Sequence, residues 1–143
     1  MCITSQSSGI TVSTLKEAEY YFEHGINDII YAVGIASVKL DRVIRLLKKG
    51  CQLALILDSI EQAKTVNEHM CRGNFKIPVY IEINSDGKRA GVNPDDSLLV
   101  AVGKELYRNE GTELKGVLTH AGASYQAFTR NNMIAVADME RDN

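Results

Sequence analysis

The chain has 143 residues, 45% hydrophobic, 24% charged and 6% aromatic, with a formal net charge of -2. Such a composition fits one ordinary globular domain and excludes a disordered, collagen-like or disulfide-scaffolded chain. The balanced charge argues against nucleic acid, which wants a basic surface, and no apolar run reaches the length of a membrane span.

Met1 to Gly9 is polar, lacks Lys and Arg, and does not read as a secretory signal. Cys2, Cys51 and Cys71 are widely spaced with no C-x-x-C pattern. A reducing, cytoplasmic setting is therefore expected, with neither a disulfide framework nor a zinc site.

In chain order, Ile10-Thr11-Val12 reads as a short strand. Thr14-Leu15-Lys16-Glu17 matches a capping box, in which hydroxyl and carboxylate satisfy free amides at a helix start. Leu15, Ala18 and Phe22 share a face of that helix, and Gly25 closes it in a left-handed conformation. Ile29 to Ile35 is a continuous apolar run, as in a strand buried on both faces. Ser37 is the next expected cap, followed by a stripe of Leu40, Val43, Ile44 and Leu47, with Gly50 as the stop.

Leu53 to Leu57 is the third strand, and Ser59-Ile60-Glu61-Gln62 a second capping box. Ala63, Val66 and Met70 mark the inner face of its helix, with Gly73 beyond its end. Ile77 to Ile83 alternates, with Val79, Ile81 and Ile83 on one side and Tyr80, Glu82 and Asn84 on the other. Asn93-Pro94 is expected to start the next helix, with Pro at the first helical position, lined by Leu98, Leu99, Val102 and Leu106. Leu114 to Thr119 is the fifth strand, and Asn131 to Arg141 the last helix.

The pattern is α/β, about five consecutive βα units with parallel strands, treated as one domain over 1–143. Two architectures fit: an open doubly wound sheet, or part of a (β/α)8 barrel, which typically needs about 250 residues. A chain that begins at a strand and stops inside a helix is expected of a segment cut from such a barrel.

In both architectures sites gather at the carboxyl ends of the strands. That selects Ser13 and Thr14, Tyr31, Asp58 and Ser59, then Glu82, Asn84, Asp86, Lys88 and Arg89, and finally Thr119, His120, Ser124 and Tyr125. Thr14 and Ser59 read first as caps, and Asp58 as a loop carboxylate bonded to backbone amides. Glu82, in a buried strand, needs a partner such as Arg89 or His120. It is open to a structural or a functional role. His120 ends a buried strand, and the Gly122 and Ser124 that follow permit close approach of a ligand. Arg89 lies in a Gly-containing loop with neither Walker spacing nor a dinucleotide fingerprint, where a guanidinium fork suits an anionic oxygen. A solvated loop cation is the alternative.

Several segments together resemble the D-threonine aldolase and D-serine dehydratase-like family, which are pyridoxal-phosphate (PLP) enzymes with an alanine-racemase-type barrel. The segments are Gly9 to Glu19, Gly25 to Ile30, Ile81 to Asn84 continuing to Gly91-Val92, Leu118 to Tyr125, and Val136 to Arg141. They run in the family's order over nearly the whole chain, matching barrel strands two to six.

The resemblance implies a PLP-binding barrel acting at the α-carbon of a small D-amino acid. Arg89 would approach the cofactor's phenolic oxygen, His120 would lie against the pyridine ring, and Tyr125 would border it. Departures from the pattern carry equal weight. The family's Schiff-base lysine lies on the first strand, its phosphate loops follow strands seven and eight, and its metal ligands lie in a C-terminal β domain. None of these matches a segment of this chain, and Lys88 is no substitute by position. Asn84 stands where the family often has Asp, and Ala123 where several members have His or Glu. The expectation is a lyase-like segment that is inactive alone, with no covalently bound PLP and no metal site.

Two other classes stay open: a non-catalytic α/β module that associates through exposed barrel edges, and a small enzyme using His120 and Glu82 as acid and base.

Overall fold

In a computed structural model, residues 9–142 are described, except Lys88 and the side chains of Ala123 and Ser124. The expectations for Cys2, Lys88 and Ser124 therefore fall outside the described residues.

Five strands form one parallel sheet in the order β1-β2-β3-β4-β5. The strands are β1 (Ile10–Val12), β2 (Asp28–Tyr31), β3 (Gln52–Leu57), β4 (Ile77–Ile83) and β5 (Thr112–Thr119). Each pairs with the strand next in sequence, so the order never reverses. A doubly wound sheet needs such a reversal to make its binding crevice. That alternative is overturned, and the arrangement is the sequential wall of a barrel.

The helices α1 (Leu15–Glu23), α2 (Leu40–Lys48), α3 (Ile60–Gly73) and α4 (Ser97–Arg108) bury one face of this wall. A single cluster joins Ala18 of α1, Val43 of α2, Val66 of α3 and Val102 of α4 to Ile29, Leu55, Val79 and Ile81 of the strands. The alternate residues face the other way, in the registered rows Thr11–Ile30–Ala54 and Ile56–Tyr80–Gly116, with Glu82 beside Leu118. Towards the amino ends this face holds an open trough of about 460 Å³, bordered by Asp28, Ile30, Ala54, Tyr80 and Lys115. Sites of such walls lie at the opposite, carboxyl ends.

Local chemistry sets most boundaries. Thr14 caps α1 through a full capping box: its hydroxyl accepts from Glu17 N at 3.1 Å while the Glu17 carboxylate accepts from Thr14 N at 2.8 Å. Gly25 follows with φ +89°. Ser59 caps α3 by accepting from Gln62 N.

Several boundaries differ from expectation, among them β5, which starts at Thr112 rather than Leu114. β2 stops at Tyr31 rather than running to Ile35, and Val33 beyond it is 41% exposed. Ser37 gives no cap; the chain enters α2 through a short 3-10 turn, Ser37–Lys39, and the helix buries Leu46 alongside Leu40 and Val43. Helix α3 includes Gly73, and Asn74 takes the left-handed position at φ +57°. Helix α4 starts after Asp96, whose carboxylate caps Leu98 N at 2.8 Å, while Asn93 to Asp96 forms a turn.

The last helix, α5 (Arg130–Asp142), buries none of its residues. Val117 of edge strand β5 is 60% exposed, as are Met133 and Ile134 of α5 at 56% and 51%. Among the described residues no helix is long and apolar enough to cross a membrane.

Candidate functional site

The carboxyl ends of β3, β4 and β5 converge on the loop between β4 and α4. That loop is fastened to β4 on its return: Val92 N donates to Glu82 O at 2.8 Å, and Asn84 N donates to Val92 O at 3.0 Å. From β3, the Asp58 carboxylate accepts from Gly91 N at 3.3 Å. The reading of Asp58 as a loop carboxylate bonded to backbone amide thus holds.

Gly91 lies at φ +119°, and an added Cβ would sit 2.7 Å from Asn84 N and 2.8 Å from Ile83 C. Only glycine fits a backbone turned this way and pressed this closely on a strand.

Two residues before Gly91, Arg89 leans across to β5. Its stem lies flat against Gly122, where an added Cβ would come within 3.0 Å of Arg89 Cδ. Its Nη2 lies 3.3 Å from His120 Nδ1, and His120 Nε2 lies 3.0 Å from the Tyr125 hydroxyl. The imidazole and phenol rings are 6.0 Å apart at 51°. A guanidinium only donates, so Nδ1 must accept. In the neutral ring, Nε2–H then donates to the Tyr125 oxygen. The three residues picked out in the sequence form one contiguous chain of polar groups, held further by a 2.8 Å hydrogen bond between the hydroxyls of Ser85 and Thr119.

Glu82, beside Leu118 on the sheet face that alternates with the helix-packed one, is 7% exposed. Burial pushes its carboxyl above the usual range, the Asp58 carboxylate pushes the same way, and the Arg89 guanidinium pulls back. Of the two partners expected for Glu82, Arg89 acts on it by charge, whereas the His120 ring nitrogens face Arg89 and Tyr125. Asn84 Oδ1 is buried without a hydrogen-bond partner among the described residues.

The other candidates serve elsewhere. Thr14 and Ser59 are caps. Tyr31 is fully buried in the helix-facing core, with its hydroxyl accepting from Lys39 Nζ at 3.1 Å. Among the described residues, no group of three or more His, Cys, Asp and Glu is placed to hold a metal ion. The packing of Arg89 on Gly122 left no trace in the sequence beyond the glycine itself.

The family model described as alanine racemase, N-terminal domain, matches residues 2–142. The D-threo-3-hydroxyaspartate dehydratase of Delftia sp. (strain HT23) is 46% identical over 136 residues, covering 94% of this chain and 36% of that protein. Its solved structure superposes with a TM-score of 0.91 at 45% identity, over 96% of this chain and 36% of that one. The D-serine dehydratase of Dictyostelium discoideum is 29% identical over 134 residues, 87% of this chain and 33% of that protein. The D-threonine aldolase of Filomicrobium marinum shares the fold, with a TM-score of 0.84 at 24% identity over 96% of this chain and 37% of that one. The chain thus spans about a third of the length of these relatives.

Proposed function

Since the chain belongs to the family of the alanine racemase N-terminal domain, we propose that it forms the ring-facing wall of a PLP pocket in a D-amino-acid lyase. The carrying observation is the unbroken run Arg89–His120–Tyr125 at the carboxyl ends of β4 and β5. A guanidinium, a neutral imidazole and a phenol are the donors and flat faces that an aromatic ring with an anionic oxygen requires. The likeness to a D-threo-3-hydroxyaspartate dehydratase favours elimination from a β-hydroxy D-amino acid over aldol cleavage.

PLP, when bound, supplies an electron sink for the bond broken at the α-carbon. This chain's residues bind and orient. Arg89 would donate to the phenolic oxygen and hold its charge. His120, in the Nε2–H form, would present its ring to the pyridine. Tyr125 would border the ring, its oxygen accepting from His120 Nε2–H. The reading assigns the lysine anchor and the phosphate cradle to barrel strands other than these five. The 143 residues are accordingly expected to be inactive by themselves, and the lyase whose pocket they wall is expected to work in the cytoplasm on a small D-amino acid. Calorimetric titration of PLP into the chain and into Arg89→Ala tests the pocket. Saturable binding that Arg89→Ala abolishes supports it, and equal heats from both proteins count against it.

One observation favours a second reading, a self-associating module without catalysis: β5 is an open edge strand with Val117 exposed, and α5 leaves Met133 and Ile134 in solvent. Unpaired strand edges recruit other chains. Sedimentation across a concentration series decides, since a monomer at every concentration removes this reading.

A further inference from the structure

We propose that Asp58 is a positioning residue for Arg89: its carboxylate reaches from β3 to the backbone of the β4–α4 loop and fixes the distance at which the guanidinium meets His120. The inference rests on the reading of Arg89 and His120 as pocket residues, and it adds a residue from a third strand to that pocket.

Asp58 is itself held, since its backbone N–H donates to Gln62 Oε1 at 3.3 Å in the first turn of α3, next to the Ser59 cap. Its side chain accepts from Gly91 N at 3.3 Å. Val92, the next residue, is fastened to β4 through Glu82 O and Asn84 N. The segment that carries Arg89 is therefore tied at its far end by two strands rather than one.

The tie from β4 holds the Gly91–Val92 peptide through the Val92 N–H but does not hold the Ala90–Gly91 peptide, which carries the Gly91 N–H. Gly91 has the widest backbone freedom of any residue type, and an untethered glycine two positions from Arg89 would let the guanidinium swing. The Asp58 carboxylate removes that freedom at the Gly91 N–H. A path of fixed groups then runs from α3 through Gln62, Asp58, Gly91 and Arg89 to His120 and Tyr125. The imidazole is read through this path, because Nδ1 stays an acceptor only while the guanidinium faces it.

The experiment needs no cofactor. The amide exchange of Gly91 and the side-chain 15N shifts of His120 are measured by NMR in the 143-residue chain and in Asp58→Ala and Asp58→Asn. The expected result is a Gly91 amide protected in the unaltered chain and at least roughly tenfold less protected in Asp58→Ala, with His120 passing from the Nε2–H form to a mixture of tautomers. Asp58→Asn retains an oxygen acceptor and is expected to restore both signals. A freely exchanging Gly91 amide in the unaltered chain overturns the proposal without any variant. So does an unchanged His120 tautomer in folded Asp58→Ala, or an Asp58→Asn chain that fails to restore it. Calorimetric PLP titration of the unaltered chain separates the two ideas: absent binding with intact Gly91 and His120 signals sinks the pocket reading and leaves the positioning by Asp58 in place.

Discussion

Arg89 Nη2 and His120 Nδ1 lie 3.3 Å apart although 31 positions separate the two residues. Register brings them together, because β4 and β5 pair in parallel up to Ile83 and Thr119 and both residues follow these strand ends. A lysine at position 89 would keep the charge but lose the planar fork and its fixed direction. Arg89→Lys is expected to weaken PLP binding roughly tenfold or more, in line with about 1.5–3 kcal/mol for a hydrogen bond to a charged group. Calorimetric titration reads this, and unchanged affinity would contradict the role given to the guanidinium.

Gly122 gives Arg89 its seat. A methyl group there would press on Arg89 Cδ at 3.0 Å and Cγ at 3.2 Å, so the flexible stem must move. Gly122→Ala is expected to change stability by no more than about 0.5 kcal/mol. The His120 15N spectrum should nonetheless shift, because a displaced Arg89 no longer holds its Nη2 at 3.3 Å from Nδ1. An unaltered spectrum would show that the seat is unnecessary.

Gly91 has no such freedom to give. Its φ is +119°, and backbone atoms lie 2.7 Å and 2.8 Å from the point a Cβ would occupy, so the side chain of alanine would collide with the strand itself. Gly91→Ala is expected to cost at least roughly 1–3 kcal/mol, the range for a residue held in a rare backbone conformation. Urea denaturation checks this, and an unchanged midpoint would refute the account of the loop.

Glu82 makes stability depend on pH in an unusual direction for a carboxyl. Its folded-state pKa is raised above the ordinary 4.5, by burial first and then by Asp58. The folded chain therefore binds this proton more tightly than the unfolded chain. The stabilising contribution is full below the unfolded value and fades as pH rises through the folded one. Glu19 runs the other way: its hydrogen bond with Arg42 lowers its pKa, and the stability it lends is lost as pH falls. Glu82→Gln should gain on the unaltered chain in thermal midpoint as pH rises above about 4.5. A difference that stays flat with pH would be the contrary result.

Much of this was legible in the sequence where one residue type has one local task. Thr14 and Glu17 form their box because both groups needed are within one turn. Ala63, Val66 and Met70 are the buried face of α3 because helical spacing leaves no other choice. Where two local cues competed, tertiary contacts decided. Ile29 to Ile35 is apolar throughout, yet a strand needs neighbours, and β1 offers none beyond Val12 apart from the bond from Ala32 N to Val12 O. Pro94 carries a helix-start signal, but the Asp96 carboxylate wins because it satisfies an actual helical amide. Of the candidate site, the rule that strand carboxyl ends hold chemistry and the family resemblance both pointed to Arg89, His120 and Tyr125, which the fold brings together. The tie from Asp58 to Gly91 could be foreseen only as a type of bond, because its partner depends on how β3 and β4 register.

The central claim is that these five strands supply the wall against which PLP rests and not the lysine that anchors it. Incubating the chain with PLP, reducing with borohydride and mapping modified peptides by mass spectrometry tests this most directly. The account predicts saturable, reversible binding and only scattered, substoichiometric labelling of surface lysines. A stoichiometric reduced adduct at a single lysine would contradict it.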